Sequence, residues 1–568
     1  PWLGTTVEDT ALINAIRFAV GFCLLVIPAT AMGATLPILV KALGRWDPDF
    51  GGILGRLYGF NTLGAVLGAL AAETVLVSAL GVRGTALAAG AVYLTAGAIA
   101  LLIHRVVSRA QSAEAQPEGE EVPAEGSPVG GSLVRAWAFA SSSFLAGFIL
   151  LAFEVVWFRF VRLFIDPNPR AFSLMLAVVL SGIGLGGDLA GAVLRRFPRA
   201  DRFAPVAACA AGALAGFLSV HFSTVLAPLE QVYIQGIGEV LRLSVELMAP
   251  VSLLSGFLFT LTGTAIHREL GSDVRATGFL SFANTLGGMV GSIAGAFLFL
   301  PFLGIEKSFF ALAAGYAVVA SLLVATRTDG SGPGLHAIRL GAAGALGVAL
   351  WSFPFGSMND HYLHVLAARY GHPDFASIEG VREGRSETVM YLRTETGQEP
   401  PYQRLVTGSF SMASNQILDR RYMKLFVYWP LALAPESKDA LLISYGVGST
   451  AKALTDSASL SRIDVVDISR EVMDMSEISF PDPAEHPLRD PRVHVHIEDG
   501  RYFLQTTDLR YDLITSEPPP PKHAGVVNLY TREYFQLVFD RLTEGGINTY
   551  WLPVHLLTEG ETRSIIRA

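Results

Sequence analysis

ALLISYGVGSTAKALTDSA, residues 440–458, is the stretch on which the reading of the soluble half turns. Ala440–Ile443 are apolar at consecutive positions, the pattern of a strand covered on both faces. Gly446 and Gly448 punctuate the run, and STAKALTDSA supplies the helix that follows. The alternation continues downstream through IDVVDI, REVMDMSEI, VHVHIED, YDLITSE, TREYFQLVFDRL and GGINTYWLP. It predicts a Rossmann-like α/β domain over 440–568, with ligands at the C-terminal ends of its strands. Just upstream, TVMYLRT and RLVTGSFSM alternate polar and apolar residues, predicting a small β-rich subdomain within a linker region, 356–439.

Acids and glycines at those strand ends suit a nucleoside. Gly446 and Gly448 follow the first strand, where missing side chains let a ligand approach the backbone. Asp467 ends the second strand, where a carboxylate can accept from both ribose hydroxyls. Asp499 and Gly500 end the third, where an Asp can accept from an adenine amino group. The same residues also suit plain turn glycines and helix-capping acids, and that alternative stays open.

The upstream half is different in kind. Only 16% of the chain is charged, against about a quarter in soluble domains, and the deficit falls on residues 1–355. Ten apolar runs there approach the roughly 20 residues a spanning helix needs. They lie near 15–41, 56–80, 84–103, 136–160, 171–194, 203–225, 246–267, 277–301, 308–326 and 338–355. The polar, Pro/Gly-rich segment 106–134 reads as a flexible loop. The net charge of −8 averages two unlike regions, and no basic patch calls for nucleic acid. Cys23 and Cys209 both lie in apolar runs, so neither a disulfide nor a metal site is read. The first residue is Pro1, so the native start is expected to lie upstream, and no signal peptide is judged.

Arginines and lysines cluster in alternate connectors, notably at Lys41–Arg56, Arg195–Arg202 and Arg268–Arg275. The positive-inside rule assigns that side to the cytoplasm. Ten crossings then put the C-terminal domain outside it. If the last, weakest run lies only in the interface, the domain returns to the cytoplasm.

The bundle carries an internal repeat: LYGFNTLGAVLG (57–68) matches LSFANTLGGMVG (280–291), and Leu80-Gly81 matches Leu303-Gly304 at the same offset. The second copy has three further helices before its matching trio; the first begins at the trio, as if three had been lost or omitted. Gly64 and Gly68, like Gly287 and Gly291, form small-xxx-small faces for close helix packing, and Asn61 and Asn284 can hydrogen-bond across them. A binding site at the repeat interface is the alternative. Glu73, Glu154 and Asp188 are ionisable groups in apolar runs. They suit a proton or cation path, or equally a salt bridge or a place near the headgroups.

LLISYGVGSTAKAL, IDVVDISREVMD, DPRVHVHIEDGRYFL, YDLITSEPPPP and LYTREYF together resemble the spermidine synthase (polyamine aminopropyltransferase) family, built on the S-adenosylmethionine methyltransferase fold. With the repeated LYGFNTLG and the segment EVVWFR, the whole chain resembles bacterial proteins in which such a domain follows a multi-helix membrane region. The resemblance implies a multi-pass protein of the bacterial inner membrane. Its nucleoside, S-adenosylmethionine or the decarboxylated form, would be a cosubstrate, with no tightly bound cofactor. Gly446, Gly448, Asp467, Asp499 and Gly500 match nucleoside-binding positions. Glu517 falls where the family's catalytic Asp stands, Gln416 falls near acceptor-binding positions, and Tyr530 matches a usually aromatic position that would either meet the acceptor or pack against the loop after the fourth strand. Ser444 and Tyr445 replace glycines, Val447 replaces an Asp, and Pro520 stands where a second acid is expected. Lys522 would repel a cationic polyamine. Three readings follow: a membrane-anchored transferase acting on a polyamine or another acceptor, a catalytically silent domain binding a membrane or extracytoplasmic protein partner, and a polyamine or other small-molecule transporter.

Overall fold

The computed structural model describes residues 10–114, 132–166, 168–227, 234, 236–326, 332–370, 376–395, 397, 400–523 and 525–568. The ten apolar runs fall on eight helical stretches, among the described residues, that are long and apolar enough to cross a membrane. Two stretches, Phe50–Val106 and Asp273–Ala325, each merge two runs. The loop expected at 106–134 is shorter at its start: 106–114 continue a helix, while 115–131 lie outside the described residues.

We number the helices α1 (Thr10–Leu43), α2 (Phe50–Ala71), α3 (Val77–Glu114), α4 (Leu133–Val161), α5 (Pro169–Arg196), α6 (Ala204–Leu226), α7 (Ile237–Leu270), α8 (Asp273–Ala294), α9 (Leu300–Ala325) and α10 (Pro333–Trp351). Their ends follow local chemistry. Asn168 caps α5 by accepting from the Ala171 amide, with Pro169 opening the helix. Ser272 caps α8 likewise, and Gly271 ends α7 in the left-handed region.

The two helices that carry the NTLG segments share their irregularities. A π turn follows each matching helix, Ala72–Leu76 after α2 and Gly295–Phe299 after α8. A glycine then breaks each stretch, Gly81 at φ 66° and Gly304 at φ 74°, with ψ near 180° in both. Only glycine adopts that conformation without steric cost.

Their packing differs. A Cβ on Gly287 would sit 1.9 Å from the Phe144 carbonyl oxygen, and one on Gly291 2.1 Å from that of Phe148. These glycines therefore let α8 lie directly against α4. Gly64 and Gly68, expected to pack in the same way, meet nothing within 4 Å among the described residues, and Asn61 is exposed. No described helix seats against this face of α2. Its packing glycines are instead Gly55 and Gly59, which abut α5 at Gly187 and Gly184.

Ion pairs mark the far end of the bundle: Arg268 with Asp201 (2.9 Å) and Arg135 with Glu269 (3.4 Å). Arg339 there donates to the Arg202 carbonyl at 3.1 Å. The near end meets the soluble half. Arg159 donates to the carbonyls of Gly384 (2.9 Å) and Arg385 (2.6 Å), and Arg369 to that of Phe164 (2.7 Å). Glu383 accepts from the Ile305 amide at 2.5 Å, just past the break at Gly304. Asp273 is therefore at the far end, Ile305 at the near end and Arg339 at the far end again, so the chain reverses at Gly304.

The soluble half has two sheets. β1 (Ala376–Glu383), β2 (Thr388–Thr394), β3 (Tyr402–Thr407) and β4 (Phe410–Ser414) form an antiparallel meander. Met390, Leu392 and Val406 join the bundle's apolar core, while Val389, Tyr391 and Leu405 face the second sheet. After α11 (Ile417–Leu433) come β5 (Asp439–Ile443), β6 (Arg462–Asp467), β7 (Val493–Ile497), β8 (Tyr511–Ser516) and β9 (Leu542–Tyr550). They pair in parallel in the order β7-β6-β5-β8-β9. The order reverses around β5, so the crevice opens at the C-terminal ends of β5, β6 and β8.

Candidate functional site

The loop after β5 is tightly wound. Ser444 has φ 75°, the one non-glycine described residue in the left-handed region, and Gly446 (58°) and Gly448 (82°) follow. A serine there costs on the order of 1–3 kcal/mol, a strain that glycine would relieve. A Cβ on Gly448 would meet the Tyr445 hydroxyl at 2.4 Å. This glycine thus accommodates the buried Tyr445 ring and does not line the cavity.

Two adjoining compartments occupy the crevice. The smaller, about 110 Å³, is lined by Gly446, Val447, Thr450, Glu517, Tyr422 and Trp551, among others. The larger, about 420 Å³, carries Asp499, Gly500, Arg162 and His523. Glu387, Asp467, Ser444 and Pro519 border both.

Three carboxylates define the chemistry. Asp467 accepts from the amides of Tyr445 and Ser469, each at 2.8 Å, which fixes its side chain at the end of β6. Burial nevertheless pushes its pKa above the usual carboxylate range. Glu517 follows β8; its amide donates to the Ile443 carbonyl at 3.1 Å, and its carboxylate accepts from the Thr450 hydroxyl. Burial raises it to about 7, against the opposing effect of that hydrogen bond. Glu387 opens β2, and burial raises it too, offset by the Arg162 charge. Asp499 is exposed; one oxygen caps the next helix by accepting from the Tyr502 amide at 2.8 Å. Gly500 packs on Ile443, 2.4 Å from where its Cβ would lie.

Not every expected residue reaches the cavity. Gln416 sits at the N-cap of α11 and lines neither compartment. Tyr530 lies behind the proline run, its hydroxyl donating to the carbonyls of Pro518 (3.3 Å) and Pro519 (3.0 Å). It braces the loop that borders the site. In the bundle, Asp188 is exposed, and Glu73 and Glu154 are half-buried on separate elements. No hydrogen bond or ion pair joins the three among the described residues. Asn284 lies against α4, its amide oxygen 2.9 Å from the Cβ position of Gly147.

Glu387, Trp551, Thr450 and Arg162 are site-lining residues that the sequence did not single out for this role. Each comes from an element remote from the glycine loop in sequence, or has no motif of its own. Thr450 alone had a signal: it lies in the first turn of the helix after Gly448.

Residues 419–562 match the spermine/spermidine synthase domain family. The polyamine aminopropyltransferase of Alkaliphilus oremlandii (strain OhILAs) is 36% identical over 126 residues, 22% of this chain and 44% of that protein. That of Clostridium perfringens (strain 13 / Type A) is likewise 36% identical over 126 residues, covering 22% and 44% of the two chains. At this identity the chain spans about half the length of the curated relatives it matches. A longer match, 22% identical over 413 residues, joins 70% of this chain to 73% of the polyamine aminopropyltransferase of Oceanobacillus iheyensis (strain DSM 14371). Among solved structures, a spermidine synthase in complex with the transition state analogue AdoDATO aligns at TM-score 0.28 and 17% identity, over 30% of this chain and 57% of that one. The C-terminal region is thus spermidine-synthase-like, and apolar membrane-type helices precede it.

Proposed function

We propose that this chain is a membrane-embedded transferase that uses an S-adenosylmethionine-type nucleoside and delivers an alkyl group to an amine or related nucleophile. One observation carries the reading. Glu517, with a carboxyl that titrates near neutrality, faces the compartment bordered by Asp467 and the glycine loop. A nucleophile attacking the carbon beside the sulfonium forms a new bond as the C–S bond breaks, and the electron pair stays on sulfur as a neutral thioether. The proton released passes to ionised Glu517, whose pKa is matched to that task. Asp467 suits the ribose and Asp499 the base. The three carboxylates Glu387, Asp467 and Glu517 favour a cationic donor over an anionic one.

Titration of the purified full chain in detergent with S-adenosylmethionine and its decarboxylated form tests the reading. Binding weakened roughly 10-fold or more by Asp467→Ala is expected. Failure of both nucleosides to bind well-folded protein overturns it. In a product assay with diamines and monoamines, Glu517→Gln should abolish turnover while sparing nucleoside binding.

A second reading is a catalytically silent domain that binds a partner. The rigid run Pro518–Pro521, braced by Tyr530, favours it, because it removes backbone donors and an acid from the acceptor side.

A further inference from the structure

One described residue of the membrane bundle, Arg162, reaches the larger compartment. Arg162 follows the last turn of α4, and its side chain lines this cavity with Glu387, Asp467 and His523. It is half-buried, and among the described residues its guanidinium makes no hydrogen bond or ion pair. Its neighbours at the junction are engaged, Arg159 and Arg369 with backbone carbonyls. A guanidinium presents five donors in a planar fork and stays charged, so this one faces the cavity with its donors free.

The rest of the wall narrows what can meet it. His523 is buried, its Nε2 has no partner, and burial holds it down to about 4, so it is neutral and adds no second cation. The acids on the same cavity are Glu387, Asp467, Glu498 and Asp499. A wholly anionic ligand would face four carboxylates, and a wholly cationic one would face the guanidinium. A ligand bearing both signs satisfies both. In the adjoining compartment Val447 stands in the glycine loop and contributes no charge against a carboxylate.

We infer that Arg162 binds the carboxylate of a zwitterionic, amino-acid-bearing nucleoside, so that the site prefers S-adenosylmethionine itself to its decarboxylated form. The inference rests on the transferase reading above and adds a specificity residue supplied by a membrane helix.

The test is a comparison of both nucleosides on the full chain in nanodiscs of zwitterionic lipid, using wild type, Arg162→Gln and Arg162→Lys. Wild type should bind the carboxylated form roughly 10-fold more tightly, the worth of one charge-assisted hydrogen bond. Arg162→Gln should erase that preference while still binding the decarboxylated form, and Arg162→Lys should keep part of it. Equal weakening of both nucleosides in Arg162→Gln would mean that the residue only balances Glu387, and would overturn the inference. So would preference of the wild type for the decarboxylated form, which leaves the transferase reading standing. Repetition with anionic lipid separates a further source of the same chemistry. If such lipid competes with S-adenosylmethionine in wild type but not in Arg162→Gln, the guanidinium holds a headgroup and the inference fails. Binding of neither nucleoside removes the transferase reading and this one together.

Discussion

At the scale of single residues, Glu517 sets function against stability. Burial raises its pKa from 4.5 to about 7, so the folded state holds the proton that the unfolded chain has released. The stability tied to that proton is complete below pH 4.5 and is lost as pH rises through about 7. Glu517→Gln should therefore raise the melting temperature at pH 8, by at most about 3 kcal/mol of stability. The gain should vanish near pH 4, where both side chains are neutral. Melting curves at the two pH values check this; an equal effect at both would mean that Glu517 is not buried as an acid. Wild-type turnover should show an acid limb near pH 7, and Glu517→Gln should abolish turnover on both sides of it. Glu517 and Asp467 were readable because each directly follows an apolar strand, and chemistry in such folds gathers at strand ends. Glu387 was not readable. It opens a strand of the other sheet, and only the packing of that sheet over the crevice brings it to Asp467. Gln416 shows the converse: it is near the crevice in sequence, but its place at the start of α11 keeps it out of both compartments.

At the scale of elements, the two NTLG copies make a controlled pair. Gly291→Val would drive its side chain into the Phe148 carbonyl, and backbone on both sides leaves no room to give. It should cost several kcal/mol, in the range of overpacked cores, and lower the melting temperature in detergent by several degrees. Gly68→Val, at the matching position, meets nothing within 4 Å among the described residues and should leave stability within about 0.5 kcal/mol. Similar losses from both would show that the open face of α2 is covered in the working protein. The repeat was legible as a pattern, but sequence identity between the copies gave both the same packing role. What separates them is the neighbour, since α4 serves only the second copy. The ten apolar runs were likewise legible, whereas the left-handed glycines that link two pairs of them without a polar loop were not, because Gly81 and Gly304 sit among many glycines of the same apolar stretches.

At the scale of the whole molecule, the soluble half and the arginine-rich connectors lie at opposite ends of the bundle. Arg268 and Arg339 mark the far end, while Arg159 and Glu383 mark the near one. With the positive-inside rule, this arrangement predicts that the nucleotide-type crevice faces away from the cytoplasm. Single cysteines at Lys522 and at Arg199, in a chain with Cys23 and Cys209 replaced by Ala, make the test. A membrane-impermeant maleimide on intact cells should label Lys522→Cys and spare Arg199→Cys. The reverse pattern would return the domain to the cytoplasm, where nucleoside cosubstrates are made.

The turn between β1 and β2 is held at both ends of its short length. Glu383 takes the amide beyond the break in α9, and Arg159 of α4 takes the next two carbonyls; two residues later Glu387 enters the cavity. The turn is thus placed as a lever with its fulcrum at the end of the bundle. Helices of fixed length answer a thicker or thinner membrane by changing tilt. Two helices that tilt by different amounts would rotate the lever and move the carboxylate at its tip.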